Sequence, residues 1–479
     1  METEMLGRKL FLADDQIRFA KLSGDWNPMH MDPVAARRTQ AGAPVVHGIH
    51  TALRGLDYLA QGRDLPPVTR LKASFGKMVY VGDEVEYRLG ALSETAATVD
   101  AFVGDVTVAK LNLAFSPPRP AGFRLDAAPS LAVRPERAID LDFEAMAGQT
   151  GRVGAPATQA EVAAAFPAAA RIWPPRLILA TLCSTTLVGM VCPGLHSIFS
   201  GLTLNAGEPD STGDTLAYRV DMTDARFRMV RMQVQGDGVW GVIDCFARVP
   251  PVAQPSLEAL AGLCAPDEFA GATALIVGGS RGLGELTAKL LATGGARMIV
   301  TYATGQADAA ALASAIRDWG GSCDSQPFDF RAPAAPQLAN LSGKITHVYY
   351  FATPRIGRRK SGLFDAARYA EFHDCYVRSF YDLFMTLHAG APDGLRGFYP
   401  SSVFVEERPE GMTEYAMAKA AGEILCADLN ATLRQTRITV SRLQRLPTDQ
   451  TASVTPVTTD EPVRALLPLI REVQNQRGL

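Results

Sequence analysis

The sequence predicts two fold classes in series: an α+β region built from two copies of one unit, then an α/β domain around a doubly wound parallel sheet. Three observations carry this reading. A length of 479 residues exceeds what one hydrophobic core serves, and points to about two to four domains. Two Pro-rich stretches, one from Pro117 through Pro129 and one holding Pro250, Pro251, Pro255 and Pro266, each follow a β-like run and read as linkers. They divide the chain into segments 1–120, 135–252 and 266–479. The apolar rhythm then changes at the third segment.

In the first segment Ile49, Ala52, Leu53, Leu56 and Ala60 fall on one helical face. Farther on, Gly82-Asp83-Glu84-Val85-Glu86-Tyr87-Arg88-Leu89 opens a series of alternating strands. The second segment repeats the plan. Leu177–Met190 is apolar almost all round, as a buried helix should be, and Pro174-Pro175 suit its start. Gly213-Asp214-Thr215-Leu216-Ala217-Tyr218-Arg219-Val220 then matches the earlier octapeptide. A long helix wrapped by antiparallel strands is the hotdog plan, and two copies predict a double hotdog in one chain. In the third segment the β-like runs Ala274–Val277, Arg297–Tyr302 and Thr346–Phe351 alternate with Ala/Leu-rich helical stretches. That alternation predicts a Rossmann-like doubly wound parallel sheet.

Composition excludes several classes. Hydrophobic residues make up 47% and charged residues 20%, with 47 basic against 50 acidic side chains and a net charge of −3. No basic stripe appears, so nucleic acid is not an expected partner. No uncharged apolar run is long enough to span a bilayer. The start, Met1-Glu2-Thr3-Glu4, is acidic and lacks the apolar core of a signal peptide. Seven cysteines without a C-x-x-C pair argue against a disulfide framework and a zinc site, and for buried thiols in a reducing, cytoplasmic setting.

Before the first helix stands Phe19-Ala20-Lys21-Leu22-Ser23-Gly24-Asp25-Trp26-Asn27-Pro28-Met29-His30-Met31-Asp32, followed by Pro44-Val45-Val46-His47-Gly48. Adding water to an enoyl thioester needs a base for the water, an acid for C2, and polarisation of the thioester carbonyl. A carboxylate and an imidazole separated by an Asn-Pro turn can face one water. A backbone N–H at a helix start, here Gly48, can bond the developing enolate oxygen. Alone, an Asp ahead of a His reads more often as a helix cap beside a surface His. The whole string resembles the MaoC-like (R)-specific enoyl-CoA hydratase family, whose motif joins this Asp, Asn-Pro and His to a later His-Gly. The resemblance implies Asp25 and His30 as the catalytic pair, Asn27 shaping the turn, and Gly48 as the oxyanion donor. The second copy lacks the string, so residues 135–252 are expected to be a non-catalytic half that shapes the acyl tunnel. His196, in a strand-like segment, reads as structural.

After Ala274–Val277 comes Gly278-Gly279-Ser280-Arg281-Gly282-Leu283-Gly284 and then a helical run. Glycines at 278, 282 and 284 permit a tight turn and close approach to a pyrophosphate at the helix N-terminus. Downstream, Tyr415 and Lys419 sit four apart on a helical stretch preceded by Ser401-Ser402. A nearby ammonium is expected to lower the Tyr415 phenol pKa, and Ser402 to hydrogen-bond the reacting oxygen. Together these resemble the short-chain dehydrogenase/reductase family over about 270–475. The resemblance implies Ser402, Tyr415 and Lys419 as catalytic residues, with Gly278, Ser280, Arg281, Gly282, Leu283, Gly284, Asp329 and Lys419 around the cofactor. Asp329 matches the residue that contacts adenine. No acidic residue occurs from Met298 through Gln306 to meet a ribose diol, and Arg281 can meet a 2′-phosphate, which favours NADP(H).

Three departures stand out. The family's Asn-Asn-Ala-Gly is Tyr350-Phe351-Ala352-Thr353, its fourth catalytic residue, an Asn, is Tyr376, and the tail after Pro447 is short for a final strand. The two resemblances together imply a bifunctional enzyme that takes an acyl-CoA or acyl-carrier-protein thioester; a double hotdog can be self-contained, while the reductase resemblance allows a homodimer through the helix bearing Tyr415. Two other readings stay open. One is a hydratase/dehydratase whose reductase fold is a cofactor sensor or scaffold. The other is a non-catalytic acyl-carrier-binding module, which the intact Asp25/His30/Gly48 string argues against.

Overall fold

Alternating burial along the chain builds the first sheet. In the computed structural model, which describes residues 4–117, 123, 125, 132–209, 214–341, 343–357, 362–391, 393–451 and 459–475, residues to Pro250 form one compact unit and a second begins at Pro251. The first unit holds β1 (Met5–Leu10), β2 (Arg70–Phe75), β3 (Glu84–Leu92), β4 (Ala96–Val103), β5 (Val106–Ala114), β6 (Thr150–Gly154), β7 (Ser197–Ala206), β8 (Thr215–Asp224), β9 (Met229–Gly236) and β10 (Val239–Ala247). β10 buries every second residue from Val239 to Ala247, as a strand packed on one face must.

These strands form one ten-stranded sheet in the order β1-β3-β4-β5-β2-β7-β10-β9-β8-β6. Read inward from either edge, the order runs 1-3-4-5-2 and 6-8-9-10-7, so the second half copies the first. The halves join where β2 pairs antiparallel with β7, from Arg70 opposite Asn205 to Ser74 opposite Gly201. The repeated octapeptides lead into β3 and β8; Gly213 lies outside the described residues, as do Pro118, Pro120 and Pro129 of the first Pro-rich stretch. His196 sits in a turn just ahead of β7 rather than within a strand.

Helix α1 (Ala13–Ser23) leads to the motif string, and two central helices lie inside the wrapped sheet: α2 (Gly48–Ala60) and α3 (Pro175–Thr186). α2 buries Ile49, Ala52, Leu53, Leu56 and Ala60, the face expected from their spacing. α3 buries every residue from Leu177 to Thr186, and Pro175 stands at its first position, where the missing N–H costs nothing. A π-helical turn, Leu187–Val191, continues α3. One hydrophobic cluster runs through both halves, from Phe11 to Ala247.

The second unit is a parallel sheet of β11 (Thr273–Val277), β12 (Arg297–Tyr302), β13 (Ser322–Pro327), β14 (His347–Tyr350), β15 (Arg396–Ser402) and β16 (Arg437–Leu443), ordered β13-β12-β11-β14-β15-β16. Strand order reverses between β11 and β14, which places a ligand crevice at their C-terminal ends. Helix α4 (Gly282–Thr293) follows β11, and α5 (Thr413–Thr432) follows β15. β16 is an edge, with no further strand among the described residues, in keeping with the short tail. Leu257, Leu260 and Cys264 pack into this unit's core, so the unit starts ahead of residue 266. All seven cysteines are buried and free. Among the described residues no helix is long and apolar enough to cross a membrane.

Candidate active sites

The first site grows from the end of α1. Gly24 takes a left-handed φ of +73° and ends the helix. Asn27 then caps a short turn, its Oδ1 accepting the Met29 N–H at 3.0 Å, with Pro28 at the first position. This turn carries His30 back beside Asp25. Nδ1 of His30 lies 2.8 Å from the Val45 carbonyl, so Nδ1 carries a hydrogen for that oxygen and Nε2 is left for chemistry. Asp25, His30 and Gly48 line one cavity of about 270 Å³, together with Phe75, Thr185 and Phe199. Gly48 is the first residue of α2, so its N–H is one of the helix donors with no intrahelical acceptor.

Three contributors had been given no role: His47, within the motif, and two residues outside it. His47, fully buried, stacks on His30 with ring centroids 3.8 Å apart, and its Nε2 lies 3.0 Å from the Asp25 carbonyl oxygen. Burial holds its pKa well below the usual histidine value, so it stays neutral. From α3, Thr185 donates its hydroxyl hydrogen to Asp25 Oδ2 at 2.6 Å. From the π turn, Gly189 leaves room for that carboxylate, which a Cβ there would overlap. Asn27 Nδ2 donates to the Gly189 carbonyl at 2.7 Å and the Gly194 carbonyl at 3.1 Å. The half expected to be non-catalytic thus supplies a hydroxyl, two carbonyls and a bare Cα to the Asp25–Asn27 loop. Thr185 and Gly189 were polar or small interruptions in an apolar run, and that was their one sequence signal.

Burial raises the Asp25 pKa above the usual carboxylate value, opposed by His30, the Thr185 hydroxyl and the Asn27 N–H. Ligand atoms of Asp25, His30 and His47 lie within 4.8 Å of one another. A metal fits them poorly: both His47 nitrogens and His30 Nδ1 face oxygen partners, leaving fewer than the three or four protein ligands of a zinc site.

The second site opens after β11. Gly278 has φ +76°, and a Cβ there would stand 2.8 Å from the Ala352 nitrogen; at Gly284 it would stand 2.5 Å from the Gly278 carbonyl oxygen. Gly282 has φ +58° and begins α4. Ser280 is buried and Leu283 packs against the core. The N–H groups of the first turn of α4, Gly282, Leu283 and Gly284, have no intrahelical acceptors. These residues fit a dinucleotide pyrophosphate. Arg281, expected to meet a 2′-phosphate, pairs its guanidinium with Asp449, Nη1 to Oδ2 3.0 Å. Asp329 stands past the end of β13, where Oδ1 accepts the Arg331 N–H at 3.0 Å.

Ser402 ends β15, while Tyr415 and Lys419 lie on α5. Ser402 acts to lower the Tyr415 pKa, against the larger push of burial. Phe372, Tyr376 and Phe404 meet the Tyr415 ring edge to face, with centroids 5.6, 5.8 and 6.2 Å away. Lys419 Nζ donates to the Pro400 carbonyl at 2.6 Å and stands 3.8 Å from the Tyr376 ring centroid, against 5.9 Å from that of Tyr415. The expected lowering of Tyr415 therefore does not occur. Burial pushes the Tyr415 pKa up to about 12 and the Lys419 pKa down to about 8. Tyr376 lies in a π turn, Asp374–Ser379, and its hydroxyl meets Thr353 Oγ1 at 2.5 Å. Two of the positions that depart from the family pattern, Thr353 and Tyr376, are bonded to each other.

Residues 5–109 match the family described as MaoC like domain, and residues 272–349 match short chain dehydrogenase. The (R)-specific enoyl-CoA hydratase of Aeromonas caviae is 39% identical over 92 residues, 18% of this chain and 67% of that protein. The chain belongs to the MaoC-like hydratase family and carries a short-chain dehydrogenase domain behind it. The peroxisomal hydratase-dehydrogenase-epimerase of Saccharomyces cerevisiae is 34% identical over 74 residues, which span 15% of this chain and 8% of that protein. A dehydrogenase/reductase structure from Sinorhizobium meliloti is 21% identical, with a TM-score of 0.38, over 46% of this chain and 94% of that one. The two domains are those of enzymes, one a hydratase/dehydratase type and one an oxidoreductase type using a nicotinamide dinucleotide.

Proposed function

We propose that the chain interconverts (R)-3-hydroxyacyl and trans-2-enoyl thioesters and reduces 3-oxoacyl thioesters with NADPH. The observation that supports it most is the shared cavity faced by Asp25, His30 and the first residue of α2. In hydration, the Asp25 carboxylate takes a proton from water as the water oxygen bonds C3. His30, as the imidazolium, delivers its Nε2 proton to C2, and the thioester oxygen gathers charge against the Gly48 N–H. Dehydration reverses each transfer. In the second domain a nicotinamide dinucleotide held at the Gly278–Gly284 loop would supply hydride. Tyr415, kept protonated by burial, hands its proton to the carbonyl oxygen. The absence of a carboxylate from Met298 through Gln306 favours NADP(H). Coenzyme A and acyl carrier protein present the same thioester to the first site.

One observation favours a second reading, a hydratase with a cofactor-binding but idle reductase fold. Lys419 is turned to Pro400 and Tyr376 rather than to Tyr415. The test is to incubate the protein with acetoacetyl-CoA and NADPH and to identify products by mass. Crotonyl-CoA supports both activities. If crotonyl-CoA is hydrated but acetoacetyl-CoA is untouched, the second reading holds. If Asp25→Asn leaves crotonyl-CoA hydration intact, the hydratase assignment is refuted.

A further inference from the structure

The guanidinium at the phosphate-type loop of the second unit already holds a carboxylate. Within the loop from Gly278 to Gly284, Arg281 is the one basic side chain, and it stands at the cap of α4. Its partner Asp449 is reached through the turn that follows β16. Side chains of the pair are 26% and 12% exposed, so the contact is largely sheltered from solvent. The other Asp449 oxygen, Oδ1, accepts the Val252 N–H at 3.1 Å.

The turn is held in place by its own bonds. The Thr448 N–H donates to Thr451 Oγ1 at 2.8 Å, and the Thr451 hydroxyl donates to the Leu446 carbonyl at 2.6 Å. Gln450 Oε1 accepts the Ile356 N–H at 2.9 Å, tying the turn to the chain after β14. Thr448 is also the nearest neighbour on the open side of Gly282, its methyl 3.8 Å from where a Cβ would stand. A carboxylate is thus fixed on the guanidinium that stands at the cap of α4, a group that suits a phosphate.

We propose that Asp449 is an affinity and specificity determinant for the dinucleotide: its carboxylate competes with the cofactor's phosphates for Arg281. Two consequences follow from charge alone. Binding must displace the carboxylate from the guanidinium, and any phosphate brought near it meets a like charge. The penalty therefore grows with the number of phosphate charges and is larger for NADPH than for NADH. This inference rests on the reading that the Gly278–Gly284 loop takes a nicotinamide dinucleotide.

The test is direct binding of NADPH and NADH to the full chain, by calorimetry, for the wild type, Asp449→Asn, Arg281→Gln and the double variant. Asparagine keeps an oxygen for the Val252 N–H, so the turn keeps that bond. Asp449→Asn is expected to tighten NADPH by about tenfold and NADH by clearly less, a coupling of ordinary size. With Arg281→Gln in place, Asp449→Asn should bring no such gain. Unchanged or weaker NADPH binding by Asp449→Asn, where the wild type binds, overturns the competition. Equal gains for both dinucleotides overturn its specificity. Binding of neither dinucleotide to any of the four proteins overturns the cofactor reading, and this inference with it.

Discussion

Replacing Thr185 by valine keeps the shape of the side chain and puts a methyl in place of the hydroxyl. That hydroxyl makes the 2.6 Å bond to Asp25 Oδ2, and its loss leaves the Asn27 N–H, 3.2 Å from Oδ1, to stabilise the carboxylate. A hydrogen bond to a charged group contributes about 1.5–3 kcal/mol. At about 1.36 kcal/mol per pKa unit, its loss should raise the Asp25 pKa by roughly one to two units. The shift adds to the upward push from burial; His30 opposes both, and His47, kept neutral by burial, contributes no charge. The assay is kcat/KM for crotonyl-CoA hydration against pH, which reports the free enzyme's essential groups. Thr185→Val should move the acid limb up by that amount and recover the plateau in alkali, whereas Thr185→Ser should leave the limb in place. A Thr185→Val profile scaled down equally at every pH, with its limb unmoved, would refute the reasoning and locate the loss in geometry.

Asp25→Asn should abolish hydration yet melt at a higher temperature than the wild type at neutral pH. Because burial raises the folded pKa above the unfolded value, the folded state binds the extra proton, and wild-type stability falls as pH rises through the folded pKa; the gap in melting temperature should close in acid. Gly189→Ala places a methyl against the Asp25 carboxylate, so hydration should fall by at least about tenfold while NADPH binding, measured on the same sample, stays unchanged. Tyr415, pushed up to about 12, should keep 3-oxoacyl reduction free of an alkaline limb near the ordinary tyrosine value of 10.0. A limb at that lower value, seen in single-turnover rates, would show that Lys419 turns back to the phenol when substrate is bound.

Both folds were legible because each follows from a local rhythm. Two-residue alternation gave the antiparallel strands, an all-apolar run gave α3, and a glycine loop between strand and helix gave the β11–α4 turn. Site residues within one string, such as Asp25, Asn27 and His30, were legible for the same reason. Thr185 was not: it lies 160 residues from the carboxylate it holds, and an apolar run assigns no task to its hydroxyl. Asp449 lies 168 residues from Arg281, and loop composition alone left that guanidinium free for a phosphate. Lys419 shows a different limit. A four-residue spacing puts it on the Tyr415 face of α5, but the head group follows the strongest nearby acceptor, here a buried carbonyl and an aromatic face.

Two of the departures from the reductase pattern carry the point furthest. Read singly, Tyr376 is a lost catalytic Asn and Thr353 a changed last residue of Asn-Asn-Ala-Gly. Side by side, they are one hydroxyl pair at 2.5 Å, with the Tyr376 ring under the Lys419 ammonium. The Tyr376 carbonyl, meanwhile, accepts the Tyr399 hydroxyl at 3.2 Å. A large aromatic side chain can stand at 376 because residue 353 offers an oxygen to its buried hydroxyl, and an unpaired phenol there would be costly. The substitutions therefore depend on each other, and what they change together is the partner of Lys419.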